Sequence, residues 1–115
     1  MDTSLNNQLA QLALFGIERH CHVEALAIAD WLDDEGQAEV ACLIRLYSLM
    51  GSGKCEEALS LGSAASWPSL SPWLALCELR LGLGAALERR LLALARSSDP
   101  VFNRFAEGIR QQVYE

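Results

Sequence analysis

The sequence is short of lysine, proline and long apolar runs, and each shortage excludes a class of structure or partner. It has one lysine and three prolines in 115 residues. It lacks the run of about 18 apolar residues that a membrane-spanning helix needs, so we expect no membrane partner. Its first ten residues, MDTSLNNQLA, contain neither a basic segment nor an apolar one. We therefore expect no secretory signal and a location in the cytoplasm.

The net charge argues against a nucleic-acid partner. The formal charge is −6 at pH 7, and six acidic residues lie between Glu24 and Glu39. Six of the nine basic residues lie later, from Arg80 to Arg110. Because phosphate backbones are bound by Lys and Arg side chains, an acidic chain with one lysine is a poor ligand for them. We expect no nucleic acid among the partners.

The four cysteines do not have the spacing of metal-binding or redox pairs. No two of them form a CxxC motif. In a cytosolic helical protein, isolated cysteines behave as small buried residues. The sequence therefore predicts buried thiols and no disulfides at Cys21, Cys42, Cys55 and Cys77.

The triplet His20-Cys21-His22 is the one constellation of reactive groups in the sequence. Two imidazoles and a thiol could bind zinc, or the imidazoles could activate the thiol as a nucleophile. Adjacent side chains point in different directions, however, and no second ligand pair follows. No phosphate-binding loop, GxSxG motif or HExxH motif occurs either. We predict that the triplet closes the first helical turn, and that the chain has no metal, no cofactor and no catalytic residue and is not an enzyme.

Residues 40–65 predict a helical hairpin. The first arm has the spacing of one buried helical stripe, formed by Val40, Leu43, Ile44, Tyr47 and Met50. Gly51 and Gly53 end that helix, because glycine tolerates the backbone angles of a sharp reversal. Glu56 and Glu57 open the second arm, where negative charge suits the helix dipole. This pattern is that of a tetratricopeptide-type repeat.

The same pattern recurs on either side of that hairpin. Ala25-Leu26 returns as Ala58-Leu59, 58 − 25 = 33 residues later, which is close to the tetratricopeptide period of about 34. A first helix is expected over about residues 4–17, and a second is closed by Gly36. The apolar residues that mark the second helix are Val23, Leu26, Ala27, Trp31 and Leu32.

Two later helices are marked by their first residues. Ser71-Pro72 and Asp99-Pro100 each combine an N-cap residue with a proline, which suits the first helical position. Leucines with helical spacing lie between these two starts. We therefore predict an all-α fold, a single domain over residues 1–115 with three tetratricopeptide-like helical hairpins plus a C-terminal capping helix.

Stacked hairpins of this kind curve, and the first helix of each pair lines the concave side. A concave, largely apolar groove suits an amphipathic helix or an extended peptide. The alternative for each leucine, taken singly, is an ordinary core position. The predicted partner-binding residues of the concave groove are Ala10, Leu14, Ala41, Arg45, Ser48, Leu74, Glu78 and Leu81.

Three segments resemble a known family: HCHVEALAIADWL, LIRLYSLM and PSLSPWLALCELRLGLGAALERRLLALARSSDP. They are similar to the tetratricopeptide-like chaperones of the type III secretion needle subunit, the YscG/PscG family, and the similarity runs nearly from end to end. The segment FGIER departs from the glycine-rich turn of that family. The matching residues are His20, Cys21, His22, Glu24, Ala25, Ile28, Ala29 and Trp31 in the first repeat and Trp73, Leu76, Cys77, Glu78, Leu81, Gly82 and Gly84 in the third.

The resemblance implies a function that composition does not. Chaperones of this kind hold the needle subunit as a monomer in the bacterial cytoplasm, together with a small helical-hairpin (YscE-like) co-chaperone. The resemblance implies that the C-terminal amphipathic helix of the needle subunit lies in the concave groove. It also implies that the co-chaperone packs on the N-terminal part of the chain. If the first helix has a face left over after packing on the second, the predicted contacts there are Leu5, Leu9 and Leu12. The alternative is a generic tetratricopeptide-like adaptor that scaffolds two protein partners.

Overall fold

The computed structural model is helical throughout the residues that it describes, 3–65 and 67–114. A single 3-10 turn, Pro68–Leu70, precedes the fifth helix. The predicted all-α fold, with three helical hairpins followed by a last helix, is confirmed. In chain order the helices are α1 (Thr3–Glu18), α2 (His22–Asp34), α3 (Ala38–Gly51), α4 (Cys55–Ala65), α5 (Ser71–Leu81), α6 (Gly84–Ala95) and α7 (Pro100–Tyr114).

Four of these helices, α1, α2, α3 and α5, end in the same hydrogen-bonded turn. At the end of α2, the Gln37 N–H donates to the carbonyl of Leu32 (2.8 Å), and the Gly36 N–H donates to that of Asp33 (3.1 Å). This pair of bonds is the Schellman motif, which satisfies the last carbonyls of a helix and requires a left-handed residue. In each case the next helix begins two residues after the left-handed one. The repeated turn therefore reverses the chain within each of the three hairpins and also between the first and the second.

The turn after α1 differs in the residue that takes the left-handed position. Gly36, Gly53 and Gly82 take it in the other three turns, with φ between 72° and 80°. In the first turn it is His20, with φ of 66°. The hydrogen bonds are nevertheless the same, from Cys21 N–H to the Gly16 carbonyl at 2.7 Å and from His20 N–H to the Ile17 carbonyl at 3.0 Å.

The helices form two compact units, Met1–Ser66 and Trp67–Glu115. In the first unit, α1 packs against α2 and α3, α2 packs against α3, and α3 packs against α4. Small side chains make up much of this core, which allows the helices to lie close together. Its buried members are Ala13, Ile17, Ala25, Ala29, Leu32, Ala41 and Ile44.

The predicted apolar face of α2 is wrong in its orientation. Of its five residues only Leu32 is buried, and α2 buries the alanines Ala25 and Ala29 beside it. The larger Val23, Leu26 and Trp31 are exposed. Periodicity finds an apolar stripe, but close packing selects the small residues for the inside.

In the second unit, α5 packs against α6 and α6 packs against α7. Phe102, Phe105 and Ile109 of α7 lie against a core formed mainly by α6. The Asn103 side chain caps α6, because its Nδ2 donates to the carbonyls of Leu94, Ala95 and Ser97 at 2.9–3.1 Å. The buried members of this core are Ala75, Leu87, Leu91, Leu94 and Ala106.

Helices begin at both predicted starts, but only one of them has the predicted N-cap. The Asp99 carboxylate accepts a hydrogen bond from the Val101 N–H at 2.9 Å, as an N-cap before Pro100 should. Ser71 does not cap α5, because the 3-10 turn runs directly into the helix and Ser71 is already helical. Its hydroxyl instead accepts a hydrogen bond from Arg90 at 3.3 Å.

The described helices include none that is long and apolar enough to cross a membrane.

His20→Gly is expected to raise the free energy of unfolding by about 0.5–1 kcal/mol. The left-handed backbone costs an L-residue about 1–2 kcal/mol, and the greater freedom of glycine in the unfolded chain offsets part of the gain. Urea unfolding followed by circular dichroism measures the change. His20→Ala is the matched control, since it removes the imidazole but keeps Cβ. A gain of the same size in both variants would contradict the backbone explanation.

Candidate partner-binding surfaces

An apolar open surface of the first unit lies between α1 and α2. Two cavities open there, one of about 290 Å³ and one of about 330 Å³. Ile28 lines both of them, so they are adjacent to each other. We call this surface the α1–α2 groove. Its lining residues are Leu9, Ala27, Ile28 and Trp31 in the first cavity and Leu12, Ala13, Phe15, Gly16, Arg19, Cys21, Glu24, Ala25 and Ile28 in the second.

The groove exists because α1 and α2 are apolar on two faces each. On α1 one stripe, with Ala13 and Ile17, is buried in the core, and a second stripe points outward. On that second stripe Leu12 is 57% exposed and Phe15 is 51% exposed. Trp31 of α2 is 41% exposed. Large apolar side chains grouped on an exposed face mark an interaction surface more often than single exposed ones do.

Among the residues that line this groove, the charged ones lie at one end. The Arg19 guanidinium lies 4.8 Å from the centre of the Phe15 ring, in a cation–π contact. Glu24 lines the same cavity on the α2 side. The other end, toward Leu9 and Trp31, is lined by apolar side chains alone. A partner bound in the groove can therefore bury apolar surface along its length, and at one end it contacts one positive and one negative side chain.

The three residues predicted to bind a co-chaperone lie on this side of α1. Leu9 lines the first cavity and Leu12 lines the second. Leu5 is 44% exposed and precedes Leu9 by four residues, so helical spacing continues the same stripe to the start of the helix. Sequence analysis missed the α2 side of the surface, which includes Ala27, Ile28 and Trp31, and it also missed Phe15. Their signal was a helix with more apolar residues than one buried face can hold.

The residues predicted for a concave groove divide between the two units. In the first unit, Ala41 is buried in the core, and Ala10 and Leu14 are half-buried against it. Ser48 is buried, and its hydroxyl lies 2.8 Å from Nδ1 of His22, within hydrogen-bonding distance. Of these, Arg45 keeps the most polar surface.

The Arg45 side chain is held by two acidic residues of α2. Its guanidinium donates to Asp30 at 2.8 Å and to Asp33 at 3.0 Å. The hydrogen bond to Asp30 is the main cause that raises the pKa of Arg45. This pairing fixes α3 against α2, so the Arg45 charge is already balanced within the chain.

In the second unit, the predicted groove residues have different surroundings. Leu74 is buried, whereas Leu81 is 38% exposed near the end of α5. Glu78 is buried and forms a two-point ion pair with Arg90, with Nε donating at 2.7 Å and Nη2 at 3.2 Å. The pair also holds the Arg90 side chain partly buried against α5. Leu81 is therefore the member of this set that has surface to offer a partner.

The triplet at residues 20–22 is divided among three roles. His20 closes the turn after α1, and His22 bonds to Ser48 of α3. Cys21 is exposed and lines the second cavity, so the prediction of a buried thiol is wrong there. Cys42, Cys55 and Cys77 are buried as predicted, and burial raises the pKa of the Cys42 thiol. The described part of the chain contains no group of three or more His, Cys, Asp or Glu residues that could hold a metal ion.

Comparison with known proteins shows the family to which this chain belongs. A family described as bacterial type III secretion system chaperone protein matches residues 1–115. The chain is 57% identical over 113 residues to the type 3 secretion system chaperone PscG of Pseudomonas aeruginosa, covering 98% of each chain. It is 50% identical over 113 residues to the chaperone YscG of Yersinia enterocolitica, again covering 98% of each.

A solved structure matches as well. It is a chain of the heterotrimeric complex that regulates type III secretion needle formation, with a TM-score of 0.91 and 56% sequence identity. The match covers 97% of this chain and 99% of that one. The predicted resemblance is confirmed, and the family is one of chaperones and not of enzymes. The chain belongs to the family of bacterial type III secretion system chaperones.

Proposed function

We propose that this chain is a cytoplasmic chaperone of the needle subunit. With a small helical-hairpin co-chaperone, it binds the C-terminal amphipathic helix of that subunit and keeps the subunit monomeric before export. The physical need is plain, because a subunit that polymerises through an apolar helix face must have that face covered. A helical surface that buries such a face meets this need without any chemistry.

The observation that carries the proposal is the α1–α2 groove. Large apolar side chains grouped on an exposed face mark interaction surfaces more often than single ones do, and Leu12, Phe15 and Trp31 are all about half exposed. The solved chain that matches this one belongs to a heterotrimeric complex, so that protein assembles with two other chains. We assign the α1–α2 groove to the co-chaperone, because Leu9 and Leu12 line it.

The surface for the needle subunit is assigned to the exposed part of the predicted concave set. The buried members, such as Leu74 and Glu78, have almost no area to offer. Leu81 is exposed, and Leu79 and Leu83, two residues before and after it in the sequence, are also exposed. The exposed leucines at this end of α5 provide apolar surface against which an amphipathic helix can bury its apolar face.

Leu12→Asp is expected to weaken co-chaperone binding by about 100-fold or more, because binding would take an ionised carboxylate out of water without a partner. The measurement is isothermal titration calorimetry with the purified co-chaperone. Leu92→Asp is the matched control, since Leu92 is an exposed leucine of α6, in the second unit. Equal losses in the two variants would contradict the assignment of the α1–α2 groove.

Leu81→Asp is expected to abolish capture of the needle subunit while co-chaperone binding is retained. The three proteins are co-expressed, and size-exclusion chromatography with light scattering gives the composition and mass of the complex. Arg89→Ala, which removes an exposed charge from α6, is expected to leave capture unchanged. If the Leu81→Asp variant is folded and still yields a complex containing one needle subunit, the subunit binds elsewhere.

A further inference from the structure

One buried polar side chain of the first unit lacks a partner among the described residues. Asn6, near the start of α1, is only 4% exposed. Neither the nitrogen nor the oxygen of its side-chain amide forms a hydrogen bond with any described part of the chain. Such an amide can form about four hydrogen bonds, and water supplies them in the unfolded chain. Burying the amide without replacing those bonds therefore opposes the packing of the helix that carries it.

The position of Asn6 in α1 explains why it is buried. It precedes Ala10, Ala13 and Ile17 by four, seven and eleven residues, so it continues their stripe toward the start of the helix. Ala13 and Ile17 belong to the core of the first unit, and Ala10 is half-buried against that core. An amide therefore occupies a position that the helical spacing reserves for an apolar side chain.

The two halves of α1 are held unequally. We call residues 5–12 the leading segment, and Asn6 is the only buried residue in it. The rest of the helix buries Ala13 and Ile17 and ends in the hydrogen-bonded turn that joins α1 to α2. The leading segment therefore has little apolar burial to offset the cost of its unpaired amide.

The local sequence does not strengthen the leading segment either. Asn6 and Asn7 have low helix propensity, because their side chains compete for backbone hydrogen bonds. The first turn of α1 contains no acidic residue that could interact with the helix dipole. Since a short helix is held mainly by its tertiary packing, this segment depends on contacts that its one buried side chain weakens.

We infer that the leading segment is an order–disorder switch, which opens and closes while the rest of the first unit stays folded, and that the unpaired amide of Asn6 sets the balance. Opening returns the amide to water and gives up little apolar contact, so it costs less than global unfolding. Ala13 and Ile17 stay in the core in both states. The switch is a property of the chain by itself, whichever partner it binds.

Asn6→Leu is the test, because leucine replaces the amide with an apolar side chain of similar size and shape. Hydrogen exchange of the amides of residues 7–12 is measured in the full chain by NMR or mass spectrometry. We expect this exchange to be at least about tenfold slower in the variant than in the wild type, because closing the segment no longer buries an unpaired amide.

Asn7→Leu is the matched control. Asn7 is the next residue of the same helix and has the same side chain, but it is exposed. Its substitution changes the helix propensity by the same amount and leaves the buried amide in place. We expect exchange of residues 7–12 to slow at most about threefold in this control, which is the part that propensity contributes.

Limited proteolysis measures the same opening independently, since cleavage of a native chain follows the population of its open state when opening is fast. Thermolysin is expected to cut the wild type within residues 5–12, and to cut Asn6→Leu there at least about tenfold more slowly. Asn7→Leu, which adds a leucine to the same segment, is expected to be cut at close to the wild-type rate.

Each outcome decides for or against the switch. Slower opening in Asn6→Leu than in Asn7→Leu supports it. Equal slowing in both variants would show that helix propensity sets the opening, and it would overturn the switch. Unchanged or faster exchange in Asn6→Leu would also overturn it, since the amide would then have a partner that stabilises the closed helix. If leucine at position 6 lowers the helical circular dichroism, Asn6→Ala and Asn7→Ala make the same comparison without added bulk.

Discussion

The structure depends on one constraint, which is that a helical hairpin has two sides that must be covered. The first hairpin, α1 and α2, covers one of its sides by packing against α3. The core of the first unit takes alanines of α1 and α2 together with Ile17 and Leu32, and several other large apolar residues of both helices are left on the other side. In repeat proteins a terminal repeat normally has a polar outer face, which keeps the array soluble. Here the outer face carries Leu12, Phe15 and Trp31 instead. A covering protein is the simplest solution to that problem.

The helices and turns could be predicted from the sequence because their signals are local. Glycines at positions 36, 53 and 82 carry the left-handed turns, and helical spacing of apolar residues marks what lies between them. The orientation of α2 could not be predicted in the same way. A helix that is apolar on two sides gives two acceptable stripes, and only packing against α1 and α3 shows that the alanines face inward. His20 was equally hidden, because its left-handed backbone follows from its place in the turn and not from its residue type.

The predicted site residues divide by how much their positions depend on tertiary structure. Leu9 and Leu12 could be assigned to a surface from a stripe on one helix, and both line the α1–α2 groove. Glu78 has the spacing of a groove residue, but α6 brings Arg90 to it and the pair is internal. Leaving such a buried carboxylate without its partner costs about 3–5 kcal/mol, so its role is to hold α5 and α6 together. Arg45 is likewise engaged, by Asp30 and Asp33. Spacing along one helix does not reveal a partner on the next.

The central claim, that the outer side of the first hairpin is a docking surface, is tested most directly by hydrogen–deuterium exchange. Helices packed on one side open locally at low cost, and a bound partner raises the free energy of that opening. Amide exchange is compared between the chain alone and the chain bound to its co-chaperone. The account predicts that slowed exchange appears in α1 and α2, over residues 5–31. Slowed exchange confined to residues 67–114, with α1 and α2 unchanged, would contradict it.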